Sequence, residues 1–125
     1  MSSRKNGTAA HDAIALAHGR RSGYDLARMR YDLVLAPEAA RQYTGLPAYL
    51  RAQVRDALEK HLRHDPGRTS RSRIKRLRGL VRPQYRLRVG EIRVYYDVAG
   101  PVVEILAIIR KSEAERWLAE RGESE

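Results

Sequence analysis

Three arginines at short spacings are the residues in this sequence best suited to chemistry. Arg86 and Arg88 lie two positions apart, and Arg93 follows five positions later. A guanidinium group stays protonated, binds phosphate or carboxylate oxygens through paired N–H donors, and stabilises developing negative charge. These residues therefore suit the binding and polarisation of an anionic ligand, and they suit proton transfer badly.

Residues 85–96, reading YRLRVGEIRVYY, predict the element that brings the arginines together. Apolar and polar residues alternate on both sides of Gly90-Glu91, a pattern typical of two half-buried strands joined by a two-residue type II′ turn. The turn fixes a register with these facing pairs: Val89–Ile92, Arg88–Arg93, Leu87–Val94 and Arg86–Tyr95. Facing like charges destabilise a hairpin by a few tenths to about 1 kcal/mol, so an anionic ligand would explain them. The alternative is a solvated sheet face in an arginine-rich protein.

The charge of the whole chain agrees with an anionic partner. The 125 residues carry a net charge of +10, with a pI near 10.5. Between positions 63 and 93 there are eleven basic residues and two acidic ones, an excess of nine. A basic region this concentrated indicates nucleic acid or an acidic protein as partner. The length predicts one domain with a modest core.

Several classes of protein are disfavoured by the composition. The absence of cysteine excludes disulfides and thiolate metal sites. No apolar run approaches ~18 residues and no hydrophobic signal core begins the chain, so we expect a cytoplasmic protein without a membrane segment. His61 and His64 lie beside Asp65 without further ligands, and no glycine-rich phosphate loop is present. No metal or other cofactor is therefore expected.

The remaining elements are predicted from the hydrophobic periodicity and from the positions of proline, glycine and helix-capping residues. In chain order they are a strand at 31–35, helices at 37–45 and 47–64, a strand at 102–109, and a helix capped by Ser112 that runs to about Arg121. The strand at 102–109 is apolar except at Glu104, which predicts a central position in the sheet. The order predicts an α+β fold, β-α-α-β-β-β-α, in which a mainly antiparallel four-stranded sheet packs against an N-terminal helical pair and a C-terminal helix follows.

The two ends of the chain differ from this middle part. We expect residues 1–28 to form a flexible or loosely helical extension with a short helix at 12–18. Residues 29–121 should form the folded domain, and residues 122–125 should form a tail. Met29 directly precedes the first strand pattern, so it is an alternative start of translation.

The ordered set of motifs resembles the RelE/ParE superfamily, the toxins of bacterial type II toxin–antitoxin systems. The set comprises RYDLVLAPEAARQY at 30–43, LRG at 77–79, YRLRVG, EIRVYY, an apolar strand, a basic turn and a helix. The resemblance covers residues 29–120 and implies a RelE-like fold. For the RelE branch it implies a metal-independent endoribonuclease that cleaves mRNA on the ribosome, inhibits growth, and is neutralised by a cognate antitoxin.

The resemblance also implies roles for particular residues. The basic positions of the hairpin fall on Arg86, Arg88 and Arg93, the basic position after the last strand falls on Lys111, and the aromatic position of the final helix on Trp117. The ribonucleases of the family often have Lys on the first hairpin strand and Tyr in the last helix, where this chain has Arg and Trp. Arg and Trp cannot replace Lys and Tyr in proton transfer, because a guanidinium stays protonated and an indole has no acid or base group that titrates near neutral pH.

The implied reaction is attack of a ribose 2′-OH on the adjacent phosphate. The arginines would stabilise the transition state. Lys111 is the first candidate for the general base, because neighbouring positive charge favours a neutral amine, and Tyr95 is the second. Trp117 would stack on a base, and four further residues would track the RNA backbone or contact an acidic antitoxin. Those four are Arg73, Lys75, Arg76 and Arg78.

Two other functions stay open at this point. A ParE-like toxin that inhibits DNA gyrase by protein contact would also carry YRLRVG and a second basic strand. A non-catalytic member would only bind its antitoxin or DNA.

Overall fold

The structure, a computed structural model, describes residues 14–15 and 30–125. Within these residues the elements in chain order are β1 (Ile14–Ala15), β2 (Asp32–Leu35), α1 (Pro37–Thr44), α2 (Ala48–Ala57), a π-helical segment (Leu58–Leu62), β3 (Ile74–Arg76), β4 (Leu80–Arg82), β5 (Tyr85–Val89), β6 (Ile92–Ala99), β7 (Val102–Arg110), α3 (Lys111–Arg121) and β8 (Glu123–Ser124).

One mixed sheet organises these elements in the order β1-β2-β7-β6-β5-β3. Strands β2 and β7 are parallel, and the other neighbouring pairs are antiparallel. The predicted α+β fold and four-stranded, mainly antiparallel sheet are confirmed in β2, β5, β6 and β7. The short strands β1 and β3 extend its two edges, and β4 pairs with β8 in a separate ribbon.

The predicted helical pair covers one face of the sheet, which we name the inner face. Helix α1 begins at Pro37, whose missing N–H costs nothing there, and ends before Gly45. The predicted apolar stripe of the second helix is confirmed, because Leu50, Val54, Leu58 and Leu62 are all buried. The α-helix itself ends at Ala57, and the last two of these leucines lie in the π-helical segment.

The predicted hairpin register is confirmed pair by pair, from Val89 opposite Ile92 to Arg86 opposite Tyr95. Gly90 has φ +59°, as a two-residue turn with Gly at its first position requires. The predicted central position of the last strand is also confirmed, because β7 lies between β2 and β6. The hairpin is therefore held on one side by β7 and on the other by β3.

Helix α3 packs on the opposite, outer face of the sheet. A small apolar cluster of Tyr95, Ala107 and Ile109 lies there, with Trp117 and Leu118 packed against it. The predicted cap at Ser112 is wrong: the helix begins at Lys111, without a side-chain cap. The Lys111 amide donates to the Glu91 carbonyl at 2.7 Å, so the hairpin turn fixes the start of this helix.

The predictions for the chain ends have mixed outcomes. Ile14–Ala15 pairs with Val34 and Leu35 as a strand, so the predicted helix at 12–18 is wrong at these two positions. Residues 1–13 and 16–29 lie outside the described residues, and the domain boundary at 28/29 stays a prediction. The predicted tail contains β8, which pairs with β4. No helix of the described part of the chain is long and apolar enough to cross a membrane.

Candidate nucleic-acid interface

Four basic side chains share the outer face of the sheet near the hairpin turn. Alternation along β5 and β6 places Arg86, Arg88 and Arg93 opposite the inner, apolar face. Lys75 of β3 pairs with Arg86, so it shares that face. We name Lys75, Arg86, Arg88 and Arg93 the arginine face.

The arginine face has no acidic counterpart among the described residues. None of its four side chains forms an ion pair with a carboxylate of residues 30–125, unlike Arg63, Arg82 and Arg121. Arg86 Nη2 donates weakly to the Ser72 carbonyl at 3.4 Å, while its Nε is buried without a partner. Arg88 is exposed. Their positive charge is therefore available to an external anion.

The electrostatics of Arg86 shows how closely the cations are placed. Burial lowers the pKa of Arg86, and the positive charges of Arg93 and Arg88 lower it further. The guanidinium group remains charged at neutral pH even so. A bound anion would relieve the repulsion among these cations.

Arg93 differs from its neighbours because it also maintains the hairpin. It is 9% exposed, and its Nη1 donates to the carbonyls of Gly90 at 2.8 Å and Ile92 at 3.1 Å. The side chain thus curls over the turn and satisfies backbone acceptors. Its replacement would disturb the fold as well as the charge.

Tyr95 and Trp117 are engaged with each other. Their rings stack with centroids 5.1 Å apart and an interplanar angle of 13°. Tyr95 is 2% exposed, and burial raises the pKa of its hydroxyl against the opposing influence of Arg86 and Arg93. A buried phenol with a raised pKa makes a poor general base, so this geometry disfavours the predicted role of Tyr95. Trp117 would have to leave Tyr95 in order to stack on a nucleobase.

Lys111 lies at the turn end of the arginine face. It is exposed, and its amide contacts the carbonyl of Glu91. The preceding turn residue, Gly90, accepts the Arg93 guanidinium. The backbone of Lys111 therefore lies next to the hairpin turn whose strands carry Arg88 and Arg93.

The other predicted RNA contacts lie on several surfaces. Lys75 is on the arginine face. Arg76 lies on the inner-face side of β3, where its Cζ atom is 5.2 Å from the centroid of the Tyr85 ring. Arg78 lines an open cavity of about 790 Å³ next to Gly79. Arg73 Nη1 lies 3.3 Å from His61 Nε2. Arg73, Lys75, Arg76 and Arg78 therefore do not lie on one continuous surface, because successive strand residues point to opposite faces. Their contact with RNA or an acidic antitoxin stays a prediction.

Some basic residues in the charged stretch are structural, which the sequence reasoning missed. Arg63 is 4% exposed, and it pairs with Glu59 at 2.8 Å and donates to the Tyr31 carbonyl at 2.8 Å. The hydrogen bond from Arg63 is the main cause that lowers the pKa of Glu59. Their spacing of four residues on a helix was the signal that could have identified the pair.

Two acidic side chains lie on the outer face at the end away from the hairpin turn. Asp97 on β6 faces Glu104 on β7. Arg82 pairs with both, because its Nη1 lies 3.5 Å from Asp97 Oδ2 and its Nη2 lies 3.4 Å from Glu104 Oε1. Burial raises the pKa of Asp97, although the Gln84 amide and Arg82 oppose the shift. Within residues 30–125 no group of three or more His, Cys, Asp or Glu side chains is arranged to hold a metal ion.

Comparisons with known proteins agree with this architecture. A chain of the RelBE2 toxin–antitoxin complex from Mycobacterium tuberculosis is similar, with 24% identity and a TM-score of 0.54 over 65% of this chain and 98% of that one. A chain of the RelB–RelE antitoxin–toxin complex from Methanococcus jannaschii is similar with 17% identity and a TM-score of 0.53, over 66% of this chain and 95% of that one. These likenesses show the fold.

The sequence itself shows the family. Residues 33–115 match the family of the ParE toxin of type II toxin–antitoxin systems, parDE. The chain belongs to this family and is a type II toxin of the RelE/ParE superfamily, as the motifs predicted. A comparison with curated proteins finds no match.

Proposed function

We propose that this toxin is an endoribonuclease that cleaves mRNA on the ribosome. The observation that carries the proposal is the arginine face, where guanidinium groups from two paired strands share one surface without a carboxylate partner among the described residues. Such a surface suits a phosphodiester, because charge-assisted and bidentate hydrogen bonds to phosphate are the strong ones.

The proposed reaction uses the RNA as its own nucleophile. The ribose 2′-oxygen forms a bond to the adjacent phosphorus, the bond from phosphorus to the 5′-oxygen breaks, and the products carry a 2′,3′-cyclic phosphate and a 5′-hydroxyl. Arg86 and Arg88 stabilise the extra charge on the phosphoryl oxygens, which is typically the largest catalytic contribution. The unprotonated amine of Lys111, an exposed residue at the turn, would accept the 2′-hydroxyl proton, and a water molecule would give a proton to the departing 5′-oxygen. This is the metal-independent reaction that the RelE resemblance implies.

We also infer that a cognate antitoxin binds this toxin. Support comes from the family, which belongs to type II toxin–antitoxin systems, and from the two similar structures, both of which are toxin–antitoxin complexes. An acidic segment of the antitoxin placed over the arginine face would neutralise it and exclude RNA.

Inhibition of DNA gyrase is the second candidate. It is favoured by the family match, which is to ParE toxins, and by the Tyr95–Trp117 stack, which leaves neither ring free for catalysis. In this alternative the basic surface would contact protein, and no RNA cleavage would be expected.

Inducible expression without antitoxin separates the candidates. The ribonuclease proposal predicts growth arrest with cleaved mRNA and intact chromosomal DNA. It also predicts that Arg86→Ala combined with Arg88→Ala abolishes both effects. This pair is preferable to one with Arg93, because Arg93 supports the hairpin turn.

The matched control replaces Arg55 and Arg71, two exposed arginines outside the arginine face, and removes the same charge. This control should remain toxic. Arrest with DNA breaks and intact mRNA would establish gyrase inhibition instead, and tolerated expression of the folded protein would establish a non-catalytic member.

A further inference from the structure

A small cavity lies between the hairpin turn and the segment that precedes β3. Its volume is about 280 Å³, and the described residues that line it are Ser72, Arg73, Arg88 and Gly90. Two of these residues are cationic, one offers a hydroxyl, and none is acidic. Pockets that enclose a drug-sized ligand measure roughly 300–1,000 Å³, so this cavity suits a compact anion better than a whole nucleotide.

The backbone around the cavity is held in place before any ligand binds. The Arg88 amide donates to the Arg73 carbonyl at 2.8 Å, which extends the β3–β5 ladder by one step. The Ser70 hydroxyl accepts hydrogen bonds from the amides of Arg73 at 3.0 Å and Ile74 at 3.2 Å. The backbone of this site therefore does not have to be ordered when a ligand binds, which lowers the entropy cost of binding.

The cations at the cavity are unsatisfied by acidic groups of the described chain. Arg88 is exposed and forms no ion pair within residues 30–125. The Arg73 guanidinium meets the His61 ring rather than a carboxylate. Burial and the charges of Arg73 and Lys60 lower the pKa of His61, so its ring is neutral at pH 7 and can accept from Arg73. Arg93 lies close by, bound to the carbonyl of Gly90.

We propose that this cavity is a phosphate subsite that binds an RNA backbone phosphate next to the one held for cleavage. Arg88 belongs both to the cavity and to the arginine face, so a strand crossing that face would place a neighbouring phosphate here. The inference rests on the proposed RNA target of the toxin. The subsite would fix the position of the strand and would take no part in bond breaking.

The test measures binding of a single-stranded RNA that cannot be cleaved, because every 2′-hydroxyl is methylated. Fluorescence anisotropy over a range of salt concentrations gives the affinity of the full chain and of three variants, Arg73→Ala, Ser72→Asp and Arg71→Ala. Each variant lowers the net charge by one. Arg71 is exposed in the same loop and does not line the cavity, so it is the matched control.

We expect Arg73→Ala to weaken binding about tenfold, as loss of a hydrogen bond to a charged group does. Ser72→Asp should weaken binding at least as much, because its carboxylate would repel the phosphate. The salt slope should fall by about 0.7, the value of one phosphate contact on a single strand. Arg71→Ala should change affinity less than about threefold. Equal effects of all three variants would overturn the subsite, as would variants that bind RNA normally but lose affinity for the antitoxin. If the toxin does not cleave mRNA, the proposed activity is refuted. The binding measurement still tests the subsite in that case, because its RNA cannot be cleaved.

Discussion

Arginine serves different purposes at different positions of this chain. Arg63 is buried in an ion pair, Arg93 closes a hairpin turn, and Arg88 is exposed without an acidic partner in the described structure. The charge alone does not distinguish these roles, because all three lie in the same basic stretch. Burial and the identity of the acceptor do distinguish them, and they leave Arg86 and Arg88 as the side chains most available to an anion.

Replacement of Lys111 tests its role as the general base. Lys111→Ala should lower ribosome-dependent mRNA cleavage by about 100-fold or more, the usual contribution of a positioned acid or base. Folding should not suffer, because Lys111 is exposed and the variant keeps the backbone amide that bonds to Glu91. The control is Arg110→Ala, an exposed neighbour that should retain cleavage. Unchanged cleavage by Lys111→Ala, measured in a translation extract, would exclude Lys111.

At the scale of elements, the hairpin was predictable and its surroundings were not. Alternation and one glycine turn fix the register from the sequence, because a slip by one residue would expose Leu87 and Val94. The direction of Arg76 was not predictable, since the short strand β3 has no clear period of its own. The start of α3 was not predictable either, because its first amide is satisfied by Glu91, which lies in a different element of the chain.

Replacement of Gly90 tests the hairpin turn. Its φ of +59° is unfavourable for residues with a Cβ, and the atom nearest to an added Cβ would be Gln53 Oε1 at 4.0 Å. Gly90→Ala should therefore lower the free energy of unfolding by about 1–2 kcal/mol through backbone strain without a clash. Gly90→Asn is the control and should lose less, because Asn tolerates positive φ. Chemical denaturation measures both, and equal losses would contradict the turn.

Replacement of Trp117 tests whether its ring serves the fold or the RNA. The stack on Tyr95 anchors α3 to the outer face. Trp117→Ala should lower the free energy of unfolding by about 2–3 kcal/mol, somewhat less than for a fully buried Trp, and Trp117→Phe should lose less. RNA affinity of the folded variants should stay the same. A loss of RNA affinity at unchanged stability would instead identify Trp117 as a base-stacking residue.

At the scale of the whole molecule, the outer face is divided by charge. The arginine face lies toward the hairpin turn, and Asp97 and Glu104 lie toward the other end with Arg82 between them. The α+β class and the central strand were predictable because apolar periodicity sets them. The separation of the basic and acidic ends of the outer face was not predictable, because it depends on which strands become neighbours in the sheet. An RNA strand would therefore be directed to one end of the face.

The stability of the whole domain should depend on pH through Glu59. Arg63 lowers the pKa of Glu59 from 4.5, so the ionised pair stabilises the fold above about that pH. This contribution is lost as the pH falls through the lower, folded-state pKa. The difference in unfolding free energy between wild type and Glu59→Gln should thus be largest at neutral pH and shrink in acid.

Asp97→Asn is the control for this measurement. Burial raises the pKa of Asp97, so its ionised form is disfavoured in the fold, and the wild type should gain stability relative to this variant as the pH falls. Denaturation curves from neutral pH into acid measure both differences. A difference for Glu59→Gln that is independent of pH would contradict the ion pair.

Analysis of RNA ends tests the central claim most directly. mRNA from a translation extract supplied with the toxin should carry new fragments that end in a 2′,3′-cyclic phosphate and begin with a 5′-hydroxyl. The Arg86→Ala, Arg88→Ala double variant should produce none. Intact mRNA in the presence of active, folded toxin, or fragments that begin with a 5′-phosphate, would contradict the proposed ribonuclease.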